Sequence, residues 1–127
     1  MTDISAIAMV VILGGLALFQ GALAAGASLG RFAWGGQHVR LPAGLRVGSL
    51  VAILIYAGFA LIILQRAGLV ALLPAGDWLN VAVWIVVGYC ALGIAMNAIS
   101  RSRPERLTMT PIVALMFGLS LVVALGF

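Results

Sequence analysis

A chain of 127 residues that is 65% apolar and only 8% charged has too few polar side chains to cover a water-soluble domain, whose residues are roughly one-quarter charged. Its net charge of +4 comes from seven arginines set against Asp3, Asp77 and Glu105, with no lysine. Those arginines fall between apolar runs, where they meet anionic lipid headgroups, so nucleic acid is excluded as the natural partner. The length fits a single domain, and a lone cysteine excludes an intrachain disulfide.

The first apolar run covers 4–26 and predicts a helix over 4–28. Its leader, MTDIS, carries an acid and no base, the reverse of a secretory signal, so a retained membrane span is expected. The connection RFAWGGQHVRLPAGLR follows, from Arg31 to Arg46. It is long for a link between neighbouring helices, and long links tend to have a purpose. Phe32 and Trp34 suit a membrane interface. Gly35 and Gly36 supply a turn free to take positive φ, and Pro42 marks the start of the second helix.

The second run, 47–64, predicts a helix over 43–66, and "AGLVALLP" after it is too short to span. Asp77 and Trp78 open a third helix over 78–99, with Asp77 as N-cap and Trp78 at the interface. "SRPE", Ser102 to Glu105, reads as a capping box with Pro104 in the first turn, starting a fourth helix over 103–126. Four runs near the 20 residues needed to cross hydrocarbon, with none of the alternation of barrel strands, predict an all-α bundle of four transmembrane helices in up-down order.

Arginine placement predicts the orientation. Arg31, Arg40 and Arg46 lie in the first connection and Arg101, Arg103 and Arg106 in the third, while the second holds only Arg66 with Asp77. The positive-inside rule then puts the first and third connections in the cytoplasm and both termini outside, in a cell inner membrane.

Helices in lipid associate through close packing at small residues, not through the hydrophobic effect. The first helix offers Gly14, Ala17, Gly21, Ala24 and Ser28, and the third Gly88, Ala91, Ala95, Ala98 and Ser102. Both stripes step 3, 4, 3, 4 along one helix face. They read as convergence on a packing rule more than as a duplicated hairpin, and both are expected to face inward, towards each other.

Polar side chains at membrane depth are candidate functional residues. Gln20, Tyr56, Asn97 and Thr110 form the candidate ligand pocket, with Gln20 and Asn97 in reach of the Leu107 carbonyl that Pro111 leaves unbonded. The plainer reading is interhelical glue. In the cytoplasmic connections the candidates are Arg31, Trp34, His38, Glu105 and Arg106. Glu105 is expected either to pair with Arg31 or Arg101 or to complete its own capping box. His38 has no second histidine to share a metal or haem, so no metal or other cofactor is expected. No acid lies mid-span, unlike small multidrug-resistance exporters, which keep one there for a proton or cation.

The pattern WGGQH, LPAGLR and NAISRSRPER followed by Pro111 resembles a set of small, uncharacterised four-helix bacterial inner-membrane proteins. The matching tokens are Trp34-Gly35-Gly36, Leu41-Pro42, Arg46, Asn97, Ser100, Ser102, Glu105-Arg106 and Pro111. That resemblance implies a fold and a location, and no activity. The function expected from the residues is non-enzymatic: a self-associating unit, or a small subunit of a larger membrane complex. The alternative is a binder, channel or transporter for a lipid or small neutral solute in the polar pocket. An enzyme built on Glu105 and His38 is the third reading.

Overall fold

In the computed structural model, which describes Met1–Phe127, each apolar run winds into one helix: α1 (Thr2–Ala24), α2 (Ala43–Arg66), α3 (Trp78–Ala98) and α4 (Arg103–Leu125). All four are long and apolar enough to cross a membrane. The shortest has 21 residues, about 31 Å at ~1.5 Å per residue, which matches a hydrocarbon core of about 30 Å. The chain is a multi-pass membrane protein built as a four-helix bundle.

The helix ends follow local chemistry. At α4 the Ser102 Oγ accepts a hydrogen bond from the Glu105 amide, and Pro104 occupies the first turn. Gly126 closes α4 in the left-handed conformation, φ 75°, as a C-terminal glycine does without steric cost. At α3, Asp77 holds the N-cap position but makes no side-chain capping bond. Helix α1 stops at Ala24, short of the expected residue 28. Gly26 turns the chain at φ +97°, the Arg46 guanidinium sits against it, and Ser28 is left to accept from Arg40 Nε at 3.1 Å.

Around the bundle the order is α1, α2, α3, α4. The hairpins α1–α2 and α3–α4 are the tight pairs, α1 also packs along α4, the α2–α3 seam is thin, and α1 and α3 lie across a diagonal. One end carries the two termini, where the Thr2 amide donates to the Phe127 carbonyl at 2.8 Å. Arg66 at the end of α2 donates to the Ala124 carbonyl of α4 at 3.1 Å, a cation at a helix C-terminus. The opposite end carries both arginine-rich connections.

The stripes of small residues do not meet. Gly88, Ala91, Ala95 and Ala98 are exposed on the outer face of α3, as is Gly14 on α1, while Ala17 and Ala24 are half-buried. Gly21 faces α2, 3.9 Å from Ile53 if given a Cβ. The interior is filled instead by Met9, Leu13, Ile63, Val83, Val86 and Cys90, with Met116 and Val123. Larger side chains fill a shared interior with more contacts, which leaves the smooth face of α3 to the outside.

The first connection folds back onto the bundle. Two 3-10 turns, Gly30–Phe32 and Trp34–Gly36, bury Ala33 with Leu23 and Leu41 in a small cluster of their own. Trp34, Gly35 and Gly36 have φ of 53°, 76° and 71°. Gly36 lies so close to Ser102 that any side chain there would overlap it. Gly30 is equally confined by the His38 carbonyl, and its amide donates to the Val39 carbonyl at 2.8 Å.

Candidate functional site

Between the packed core near the termini and the folded first connection, the two hairpins separate and leave a chamber of about 220 Å³. Every part of the fold contributes a wall: Gln20 from α1, Trp34 from the first connection, Tyr56 from α2, Asn97 from α3 and Glu105 from α4. The expected pocket of Gln20, Tyr56 and Asn97 is therefore assembled. Thr110 is not part of it; its Oγ1 is buried elsewhere with no hydrogen-bond partner. The Leu107 carbonyl is not what the amides bind either. Asn97 Nδ2 donates to Gly93 one turn back, at 2.7 Å, and Gln20 Oε1 is buried without a partner.

Trp34, expected at the membrane interface, and Glu105, expected in an ion pair or a capping box, close the chamber. The Trp34 indole lies on α2 at Gly48, where a Cβ would come within 2.9 Å of the ring, and its Nε1 donates to the fully buried Ser49 Oγ at 3.3 Å. Glu105 is only 7% exposed, and one carboxylate oxygen, Oε2, accepts from the Gly35 amide at 3.1 Å. The first and third connections are thus tied, but not by the expected ion pair with Arg31 or Arg101. The tie runs from the Glu105 carboxylate to Gly35 and from the Ser102 hydroxyl to the Arg31 carbonyl. The capping box is half built for the same reason: Ser102 caps Glu105, while the Ser102 amide turns to Ser100 Oγ at 3.2 Å.

The remaining candidates lie apart from the chamber. Arg31 is exposed, its guanidinium 5.1 Å from the Phe32 ring centre. Arg106 donates to the Ser100 carbonyl at 2.9 Å. His38 is exposed and does not line the chamber, so Glu105 and His38 share no cleft. No group of three or more His, Cys, Asp or Glu side chains gathers anywhere. Tyr89 also lines the chamber, its ring held edge-on against Phe59 at 4.9 Å and 76°. Its spacing from Asn97 was the available signal, since eight residues is close to two full turns and sets both on one helix face. Nothing comparable pointed to Phe32, which reaches the chamber only through the fold of the first connection.

The chamber opens sideways on both flanks. Between α2 and α3 a cavity of about 280 Å³ shares Tyr56, Tyr89 and Asn97 with it and adds Cys90 and Met96. Between α1 and α4 an apolar groove of about 520 Å³ shares Leu16, Phe19, Phe32 and Met109 and extends past Gly15 to Leu115. Gly15 has nothing within 4 Å of where a Cβ would sit, so the groove wall there is bare backbone. No family model matches this chain, and comparison with curated proteins and with solved structures found no match. The chemistry has to be read from the chamber itself: a small polar space with apolar flanks, set inside the bundle.

Proposed function

We propose that the chain is a membrane-embedded binding protein for an amphiphile, with the polar head in the chamber and the apolar body in a flanking groove. The observation that carries this reading is the coincidence of unspent polar groups and lateral openings. Gln20 and Glu105 line the chamber, Gln20 Oε1 has no partner, Glu105 uses one oxygen, and the chamber shares walls with two apolar clefts. A buried acceptor left without a donor is costly, and a ligand head that donates hydrogen bonds removes that cost. Specific small-molecule sites have this character: mostly apolar walls and a few convergent polar groups. On the arginine distribution, the chamber lies towards the cytoplasmic half of an inner membrane, with the first and third connections inside the cell.

The test is direct. Protein purified in a mild detergent is expected to retain an amphiphile detectable by mass spectrometry of its organic extract, and to melt at higher temperature when that molecule is added back, as any ligand selective for the folded state requires. Asn97→Leu combined with Gln20→Leu is expected to abolish both effects. Wild-type protein that carries no extractable molecule, and whose Tm no amphiphile raises, rules the reading out.

A second reading, self-association, is favoured by the exposed face of Gly88, Ala91, Ala95 and Ala98, since small residues let helices approach closely in lipid. If it holds, Gly88→Leu converts an oligomer to a monomer in native mass spectrometry; an unchanged mass removes it.

A further inference from the structure

We infer that the head bound in the chamber is a cation, an ammonium or amidinium group carried on an apolar body. This deepens the binding reading above and rests on it. The argument begins with charge. Of the ten formally charged side chains in the sequence, Glu105 alone lines the chamber. Arg66 is at the far end of the bundle, bonded to Ala124. Arg40, Arg46 and Arg106 are spent on Ser28, the Leu41 carbonyl and the Ser100 carbonyl, and Arg31, Arg101 and Arg103 are exposed. The arginines would attract a phosphate, yet none faces the space.

Glu105 is more than nine-tenths buried, and its single hydrogen bond comes from the neutral Gly35 amide. A buried carboxylate needs a cationic partner or several donors; the protein supplies one donor and leaves Oε1 unbonded. Around it stand the rings of Phe32, Trp34, Tyr56 and Tyr89, whose faces attract cations at close range, most strongly when water is excluded. Gln20, whose Oε1 is buried and unpartnered, lines the same space and brings an amide acceptor to its wall. An anion would find donors in Gln20 and the two tyrosine hydroxyls but would also meet the like charge of Glu105. A neutral head would leave the carboxylate as it is now.

The experiment uses full-length protein in neutral dodecyl maltoside micelles and follows tryptophan fluorescence, with Trp34→Phe identifying the part that comes from the chamber. Dodecylammonium, dodecanol and dodecyl sulfate share one tail and differ in charge. Dodecylammonium is expected to saturate the Trp34 signal at a concentration about tenfold or more below the other two. Glu105→Gln, which keeps an acceptor for the Gly35 amide, is expected to remove that preference without removing binding. Equal potency of the three probes on wild-type protein overturns the cation and leaves amphiphile binding intact; no saturable response to any of them overturns both. The wild-type comparison needs no variant, so it stands even if Glu105→Gln does not fold. Nanodiscs of phosphatidylglycerol, with and without phosphatidylethanolamine, separate two sources of the cation. Competition by phosphatidylethanolamine assigns the site to an aminolipid headgroup, and its absence to a free lipophilic cation.

Discussion

Gln20 and Thr110 each bury an oxygen that bonds to nothing in the protein, but only Gln20 borders the chamber. The two therefore make a controlled pair. Replacing a buried, unpaired polar group by an apolar one of similar shape removes a desolvation penalty of about 1 kcal/mol or more. Thr110→Val and Gln20→Leu are both expected to raise the Tm of ligand-free protein in detergent. Only Gln20→Leu is expected to weaken binding of an amphiphile, which makes Gln20 a residue kept for function against stability. A fall in Tm for both variants would show that these oxygens are satisfied by water within the bundle. From sequence, Gln20, Tyr56 and Asn97 were recognisable because a polar side chain in an apolar run is conspicuous. Thr110 was conspicuous for the same reason, and nothing in its spacing revealed that it turns away from the other three.

At the scale of single elements, α2, α3 and α4 were legible almost to the residue and α1 except at its ends, because apolar runs of membrane length, a capping serine and a proline at a helix start act locally. The first connection was not. Its composition announced a turn at Gly35 and Gly36, and both do take positive φ. That this turn packs under the start of α4 depends on contacts across about seventy residues of chain, such as Gly35 to Glu105 and Gly36 to Ser102, which no local pattern encodes. The same distance hid the role of Glu105, which reads as an ion-pair partner for Arg31 or Arg101 or as a capping-box acid until the connection folds over it. The small-residue stripes misled in the opposite way. Their 3, 4 spacing marks one helix face correctly, but periodicity alone does not say which face is turned inward. The connection is expected to act as a fitted lid held by glycine. Gly36→Ala adds a methyl group where Ser102 already sits and strains a positive φ, at a cost of about 1–3 kcal/mol. Its Tm should drop by several degrees, and hydrogen exchange at the Gly35 amide should accelerate. An unchanged exchange rate would mean that the turn is not clamped by α4.

For the molecule as a whole, the arrangement is two tight hairpins joined firmly near the termini and held apart towards the arginine-rich end. The packed half holds the larger buried core, and the other half holds the chamber and its flanking clefts. One consequence concerns the sole thiol. Cys90 is fully buried in the core yet lies among the residues that line the cavity beside Tyr56 and Tyr89, so the expected approach of a small thiol-reactive probe dissolved in the hydrocarbon is by way of that cavity. The unmodified protein thus carries its own occupancy gauge: alkylation of Cys90 by a membrane-permeant maleimide should slow severalfold when the cavity is filled and remain indifferent to reagents confined to water.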